Sequence, residues 1–228
     1  MLEIVPTADG SNTIYNAEIG ENYHSRNGAL QESLHVFVNS GLNYFLDWKD
    51  VEEVSVLEVG FGTGLNFLLS AGVCIARKIK LDYVGIEAYP LSKEMISQTG
   101  YDKYVPTELW QQFINNYPNS LQIPNCKLQT EYCQLLNFRS AQQFDIIYFD
   151  AFAAARQPEM WTDEAIAHTI QFLKPGGVFV TYAITGNLKR ALKALGCKIE
   201  KAPGALGKRE MLRAVKFENV LIWKFEYI

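Results

Sequence analysis

The segment from Glu58 to Gly64 constrains the fold of this chain more than any other part of the sequence. It reads EVGFGTG, follows the strand-like stretch Val54–Glu58, and precedes a helical pattern that begins LNFLLS. A strand that turns through glycines into a helix is the first half of a βαβ unit, and Leu81–Glu87 provides the second strand. The chain is therefore predicted to build an α/β core.

Strands and helices continue to alternate after this unit. We predict further strands at Cys126–Thr130, Phe144–Asp150, Val178–Ala183, Cys197–Glu200 and Val220–Glu226. We predict helices at Leu91–Thr99, Thr107–Tyr117 and Asn187–Leu195, and one that is capped by Thr162 or Asp163 and stops at Lys174-Pro175-Gly176-Gly177. The alternation predicts a doubly wound, mostly parallel sheet with helices on both faces.

The first 50 residues are predicted to form a small appendage to this core. Residues 13–19 alternate weakly like an edge strand, and Ala29–Ser40 has one apolar helical face before Gly41, which is expected to close the helix. A length of 228 residues fits one α/β domain, with the appendage at 1–50 and the core at 51–228.

Composition and charge exclude several classes of protein. No apolar run approaches the ~18 residues of a membrane span, and the start lacks the features of a signal peptide, so we expect a cytoplasmic protein without a membrane partner. The four cysteines are scattered and the three histidines are far apart, which predicts free thiols and no metal site. Residues 1–183 hold 11 basic and 21 acidic side chains, whereas residues 184–228 hold 10 and 4. The basic C-terminal part is either a phosphate-binding face or a solvated surface.

The spacing of the glycines favours one class of cofactor. In the GxGxxG pattern of dinucleotide-binding folds, the third glycine would fall at residue 65, which is leucine here. Glycines at 60, 62 and 64 suit a backbone that passes close under a ligand without a pyrophosphate, and Glu58 can hold an ammonium directly or through the loop amides. S-adenosylmethionine fits these needs, while a tight turn without a ligand is the structural alternative.

Two acids are predicted at the edge of the sheet where α/β folds bind ligands. Glu87 ends the second strand, where an acid can accept both ribose hydroxyls. Asp150 ends the strand FDIIYFD, and Phe152, Arg156 and Trp161 follow it. These aromatic residues can stack on a nucleobase, although aromatics near a strand end are more often part of the core.

Four segments together resemble a known family: YHSRNGALQESLHVF, EVGFGTGLNFLL, YFDAFAAARQPEMWT and GKREML. They look like the methyltransferase part of the bacterial bifunctional MnmC enzymes, which make 5-methylaminomethyl(-2-thio)uridine at the tRNA wobble position. The resemblance implies a Rossmann-like class I methyltransferase that transfers a methyl group from S-adenosylmethionine to the 5-aminomethyl nitrogen of that uridine in the anticodon loop. Those enzymes carry a FAD-dependent oxidase domain after this part, so a stand-alone form without flavin is expected.

The resemblance also implies roles for individual residues. The cofactor site is assigned to Glu58, Gly60, Gly62, Gly64, Asn66, Glu87 and Glu131. Asp150 is assigned as the catalytic residue that faces the amine, and the substrate contacts are Phe152, Arg156, Trp161, Lys208 and Arg209, the last two toward tRNA phosphate. The chain departs from the family at Phe152-Ala153-Ala154, where Phe-Ala-Pro is usual, and at Thr130-Glu131-Tyr132, where Gly-Asp-Ala is usual.

Two other functions are compatible with these residues. A strand that ends in Asp-Ala-Phe also suits a small-molecule amine methyltransferase or aminopropyltransferase, which a requirement for tRNA would exclude. A noncatalytic module would bind S-adenosylmethionine or RNA without forming S-adenosylhomocysteine.

Overall fold

The structure is a computed structural model that describes residues 1–205, 207 and 209–218. Within these residues the strands form two sheets, one of three strands and one of eight. The strands of the small sheet are Leu2–Pro6 (β1), Asn12–Asn16 (β2) and Glu21–Asn22 (β3). Those of the large sheet are Glu53–Val59 (β4), Lys80–Ile86 (β5), Leu121–Ile123 (β6), Cys126–Glu131 (β7), Phe144–Phe149 (β8), Leu173–Thr181 (β9), Cys197–Pro203 (β10) and Glu210–Lys216 (β11).

The large sheet confirms the predicted fold class. Its strand order is β10-β11-β9-β8-β4-β5-β7-β6. The five central strands from β9 to β7 pair in parallel, while β11 and β6 run antiparallel to their neighbours. The order reverses direction beside β4, so β4, β5 and β8 end together at the edge where doubly wound sheets bind ligands.

Helices cover both faces of the large sheet. They are Ala29–Glu32 (α1), Tyr44–Trp48 (α2), Leu65–Arg77 (α3), Lys93–Ser97 (α4), Thr107–Asn116 (α5), Asp163–Ile170 (α6) and Gly186–Ala194 (α7), with a π-helix at Ser33–Asn43. The π-helix, α3 and α5 belong to one buried apolar cluster, and α6 and α7 belong to the other. Two clusters on opposite faces of one sheet are the layered arrangement that the alternating sequence predicts.

The prediction that Gly41 ends the first helix is wrong. The helical path runs from α1 through the π-helix to the end of α2 at Trp48. A β-carbon on Gly41 would lie 2.9 Å from Cε1 of Tyr148 and 3.1 Å from Cγ2 of Val180. The glycine therefore allows the π-helix to approach the sheet closely, and it does not act as a helix stop.

The C-terminal part differs from the prediction in two places. α6 stops at Ile170, and Lys174-Pro175-Gly176-Gly177 lies inside β9, which ends at Thr181. The strand β11 was not predicted, although it lies between β9 and β10. The predicted strand Val220–Glu226 lies outside the described residues.

Two smaller predictions, the Thr162 cap and the free cysteines, are confirmed. The hydroxyl of Thr162 caps α6 by accepting from the amide of Ala165 at 3.2 Å. All four cysteines are free, with Cys133 half-buried and Cys74, Cys126 and Cys197 buried. Among the described residues no helix is long and apolar enough to cross a membrane. The division at residue 50 into an appendage and a core stays a prediction.

Candidate active site

A cleft of about 1350 Å³ opens at the carboxyl ends of β4, β5 and β8. One wall is the glycine loop after β4, and the opposite wall comes from the N-terminal residues around Tyr23. Carboxylates are numerous in the lining: Glu18, Glu21, Glu32, Glu87, Asp150 and Glu159. The cleft therefore suits cationic groups and hydroxyl donors.

The glycine loop is held against the neighbouring strand by its backbone. The amides of Gly60 and Phe61 both donate to the carbonyl oxygen of Ile86 at 3.0 Å. Gly60, Gly62 and Gly64 have φ values of 87°, 52° and 76°, a left-handed conformation that glycine adopts at little cost. A β-carbon on Gly62 would lie 3.0 Å from the ring of Tyr23, so the absence of a side chain lets the N-terminal wall come close.

Glu87 is fixed at the end of β5 by two backbone donors. Its Oε2 accepts from the amide of Gly62 at 2.9 Å, and its Oε1 accepts from the amide of Tyr89 at 2.9 Å. The carboxylate thus ties the glycine loop to the next strand end. It lines the cleft.

Asp150 follows β8 on the same edge of the sheet. Its amide donates to the carbonyl oxygen of Val59 at 2.8 Å, which places it beside the start of the glycine loop. Its Oδ2 accepts from Nδ2 of Asn66 at 2.9 Å. The same Nδ2 donates to Oε1 of Glu58 at 2.7 Å, so one carboxamide contacts both acids.

An aromatic pair lies next to Asp150. The rings of Tyr23 and Phe152 meet edge to face with centroids 5.1 Å apart. The indole of Trp161 packs on Phe149 and donates from Nε1 to the carbonyl oxygen of Phe152 at 2.7 Å. Trp161 therefore supports the segment that carries Phe152.

The N-terminal wall brings further polar groups to this end of the cleft. Oε2 of Glu21 accepts from the amide of Ala153 at 3.2 Å. The hydroxyl of Tyr182 donates to the carbonyl oxygen of Ala151 at 2.9 Å. Burial, and then the charges of Asp150, Glu21 and Glu32, raise the pKa of Tyr182, so its hydroxyl stays protonated. Acids that are distant in the sequence thus converge on Tyr182 and the segment after Asp150.

Comparison with known proteins identifies the family. A sequence model described as an S-adenosyl-L-methionine-dependent methyltransferase matches residues 104–217, which is half of the chain. The chain belongs to this methyltransferase family. The family confirms the predicted cofactor, S-adenosylmethionine, and the predicted enzyme class.

Two curated relatives resemble almost the whole methyltransferase chain. The bifunctional protein MnmC of Magnetococcus marinus, named for tRNA 5-methylaminomethyl-2-thiouridine biosynthesis, is 31% identical over 92% of this chain and 33% of its own length. The protein of the same name from Leptospira interrogans is 30% identical over 83% of this chain and 32% of its own length. The chain spans about a third of these relatives, and its resemblance to their methyltransferase part is confirmed.

A solved structure shares the fold of the methyltransferase. The crystal structure of MNMC2 from Aquifex aeolicus superimposes with a TM-score of 0.79 at 23% identity, covering 96% of this chain and 71% of that one. This likeness supports the fold assignment at the level of the whole chain.

The cleft residues of the methyltransferase fit S-adenosylmethionine. The cofactor carries a sulfonium, an ammonium and two ribose hydroxyls, which are complementary to the carboxylates that line the cleft, among them Glu87. Oδ1 of Asn66 is a buried acceptor without a hydrogen-bond partner among the described residues, which suits a ligand donor. When bound, the cofactor supplies an electrophilic methyl group on sulfur.

The structure gathers many of the predicted site residues around the cleft, but not all of them. Those that line it are Gly60, Gly62, Asn66, Glu87, Asp150, Phe152 and Arg156. Glu58 is fully buried behind the wall, Gly64 packs on Phe113 and Phe61, and Trp161 supports Phe152 from behind. The roles assigned to all these residues stay predictions.

Two predicted residues, Glu131 and Arg209, lie apart from the cleft lining. Glu131 accepts at Oε1 from Nε2 of Gln129 at 2.6 Å, at the end of β7. Arg209 is exposed in the hairpin between β10 and β11, and its carbonyl oxygen accepts from the amide of Gly204 at 3.2 Å. Lys208 lies outside the described residues.

Sequence reasoning missed Tyr23, Glu21 and Tyr182. Tyr23 opens the segment YHSRNGALQESLHVF, which carries the family resemblance but was given no role. The resemblance of this segment to the family could have indicated that Tyr23 belongs to the site. The segment was instead interpreted only as part of the N-terminal appendage. Glu21 and Tyr182 offered no comparable pattern.

Proposed function

We propose that the protein transfers the methyl group of S-adenosylmethionine to the nitrogen of 5-aminomethyl(-2-thio)uridine at the tRNA wobble position, giving 5-methylaminomethyl(-2-thio)uridine. The observation that carries the proposal is the position of Asp150 beside the glycine loop, in an acidic cleft that also contains an aromatic pair. The printed names of the MnmC relatives support the choice of substrate.

The acidic cleft suits an amine as the methyl acceptor. An alkylamine titrates near ~10.4, so keeping it neutral at pH 7 costs roughly 4–5 kcal/mol. A carboxylate alone would favour the ammonium form, because an opposite charge stabilises it. Asp150 therefore acts by accepting a hydrogen bond from the amine and orienting its lone pair, and the proton lost on methylation goes to Asp150 or to water.

The aromatic pair suits the uracil ring that carries this amine. Phe152 is half-buried and lines the cleft beside Asp150, and Tyr23 meets its ring from the N-terminal wall. Stacking of a base on an aromatic side chain contributes ~1–3 kcal/mol. A wobble base lies in a single-stranded loop, so presenting it costs less than extracting a base from a duplex.

Exposed arginines around the cleft suit the phosphates of the acceptor RNA. Arg26 and Arg156 are exposed and line the mouth of the cleft. The hairpin that carries Arg209 reaches the same region, since a β-carbon on Gly207 would touch the carboxamide of Asn27, the neighbour of Arg26. Exposed arginines beside a carboxylate-lined cleft fit a cationic group attached to a polyanion.

The test is methyl transfer by the purified protein with labelled S-adenosylmethionine. The acceptors are tRNA that carries 5-aminomethyluridine, the same tRNA already methylated, and a free polyamine. We expect S-adenosylhomocysteine to form only with the first. Turnover with the polyamine in the absence of RNA would favour a small-molecule amine transferase, and binding without turnover would favour a noncatalytic module. Activity is expected without added flavin or metal.

A further inference from the structure

The carboxamide of Asn66 connects the two acids of the site from inside the protein. Asn66 lies in the first turn of α3 and is 3% exposed. Its Nδ2 donates to Oε1 of Glu58 at 2.7 Å and to Oδ2 of Asp150 at 2.9 Å. A carboxamide nitrogen carries two hydrogens, so both are used by carboxyl oxygens.

The orientation of this carboxamide is dictated by its neighbours. Exchanging Oδ1 and Nδ2 of Asn66 would place an acceptor against Oδ2 of the Asp150 carboxylate, with no hydrogen between them. Amide orientation is assigned from the hydrogen-bond network, and here the network allows one assignment. Asn66 therefore presents a donor to Asp150 at all times.

Glu58 anchors Asn66 whatever its own protonation state. It is fully buried, and its Oε2 accepts from the hydroxyl of Tyr83 at 2.8 Å. Burial, and then the charge of Asp150, raise the pKa of Glu58 well above its usual range. A proton on Glu58 can face only Tyr83, because Nδ2 of Asn66 cannot accept, so Oε1 remains an acceptor for Asn66.

We propose that Asn66, anchored by Glu58, is a positioning residue that fixes the carboxylate of Asp150 in the cleft and holds it ionised. The inference rests on the proposed function for the statement that this carboxylate meets the amine. A donor to the ionised form of an acid stabilises that form and lowers its pKa. Asp150 thereby becomes a fixed hydrogen-bond acceptor, which matches the orienting role proposed for it.

Other titratable groups near Asp150 come from the three strands that surround it. Burial raises the pKa values of Glu58 on β4, Tyr83 on β5 and Tyr182 after β9, and the charge of Asp150 adds to each of them. Glu87 acts on Glu58 in the same sense. Tyr83 and Tyr182 are uncharged while protonated, so the charges that disfavour the ionised form of Asp150 come from the carboxylates that share the cleft, Glu21, Glu32 and Glu87. The donor from Asn66 opposes their effect.

The test measures the titration of Asp150 itself, in the ligand-free protein, by 13C NMR of labelled aspartate carboxyl groups. The signal is identified by its loss in Asp150→Asn. We expect Asn66→Ala to raise the apparent pKa of Asp150 by about one unit, because one donor to the ionised form is lost. Glu58→Gln keeps an acceptor for Asn66 and is expected not to raise it.

A matched control lies one turn further along the same helix. Ser70 is buried and its hydroxyl bonds the hydroxyl of Tyr148 at 3.1 Å, so Ser70→Ala also removes a buried polar group from this face of α3. We expect it to leave the titration of Asp150 unchanged. The pH profile of kcat for methyl transfer should shift with the NMR titration in Asn66→Ala and not in Ser70→Ala.

An unchanged Asp150 titration in folded Asn66→Ala would overturn the inference. If Asn66→Ala does not fold, the double variant Glu58→Gln, Asn66→Leu is compared with Glu58→Gln, so that the two proteins differ in the donor alone. The same shift is expected between them, and its absence overturns the inference. Failure of the proposed function has a different outcome, namely a shifted titration in a protein that methylates no tRNA.

Discussion

A β-carbon on Gly60 would lie 2.5 Å from the carbonyl oxygen of Asp150. The first glycine of the loop thus packs against the backbone of Asp150, whose carboxylate is the proposed catalytic group, and its φ of 87° adds a second requirement for glycine. We expect Gly60→Ala to displace the Asp150 backbone and lower methyl transfer at least tenfold, since small misplacements at a reacting centre are costly. Initial rates at saturating S-adenosylmethionine test this.

Gly10 provides the control for backbone strain. Its φ is 84° and a β-carbon there would meet nothing within 4 Å. Gly10→Ala should cost stability by roughly 1 kcal/mol from the backbone alone, without affecting methyl transfer. Equal losses of activity in Gly60→Ala and Gly10→Ala would show that backbone strain, and not the close approach to Asp150, causes the loss in Gly60→Ala.

Alanine substitution at two other glycines should change the stability of the protein in opposite directions. Gly41→Ala places a methyl group 2.9 Å from Tyr148, so we expect a loss of about 1–3 kcal/mol from overpacking. Gly72 lies inside α3 with only Pro106 near its β-carbon position, at 3.8 Å, so Gly72→Ala should stabilise the protein by about 0.5–1 kcal/mol. Urea unfolding of both variants measures the two changes in the free energy of unfolding. Two changes of the same sign would contradict the prediction.

Removal of the Tyr23 ring should lower the efficiency with which the protein methylates tRNA. Tyr23 packs on Phe152 and approaches Gly62, so we expect Tyr23→Ala to lower kcat/KM for tRNA about tenfold and Tyr23→Phe to stay near wild type. Tyr104 is half-buried outside the cleft lining, and Tyr104→Ala is the matched control. If Tyr104→Ala has the same effect, the loss comes from weakened packing in general and not from the cleft.

The buried imidazole of His24 should make stability depend on pH. Burial lowers the pKa of His24 to about 4, although Glu32 and Asp9 act in the opposite direction. In the unfolded chain the pKa is ~6.5, so between pH 6.5 and pH 4 the unfolded state binds a proton that the folded state does not. Stability should therefore fall as the pH drops through this window, by roughly 3 kcal/mol from this group.

His24→Gln removes this contribution. The free energy of unfolding of the variant should change less than that of the wild type between pH 6.5 and pH 4. Denaturant titrations at a series of pH values in this range measure the difference. Parallel curves for the two proteins would contradict the buried, uncharged state of His24.

The central residues of the site could be predicted from the sequence because they follow recognisable strand-like segments. The glycines after β4 and the acids that end β5 and β8 follow strand-like segments, and parallel strands bring their carboxyl ends together. Glu87 and Asp150 were placed at one edge on this basis, and both line the cleft.

The remaining features depend on contacts between distant parts of the chain. Tyr23 reaches its position only when the N-terminal residues pack against the glycine loop. No periodic pattern in the sequence predicts that contact. The pairing of β11 between β9 and β10 is likewise a tertiary choice, because an antiparallel strand can join the sheet at either side. Gly41 carried the usual sign of a helix end, but close packing on Tyr148 accounts for it.

The most direct measurement is nucleoside analysis of tRNA after incubation with the wild-type protein or Asp150→Asn and labelled S-adenosylmethionine. The wild type should convert 5-aminomethyluridine to a nucleoside that carries one labelled methyl group on the side-chain nitrogen. Asp150→Asn should retain binding of S-adenosylhomocysteine within a few-fold while its turnover falls about a hundredfold or more. Label on another atom or nucleoside, or wild-type turnover in Asp150→Asn, would contradict the account.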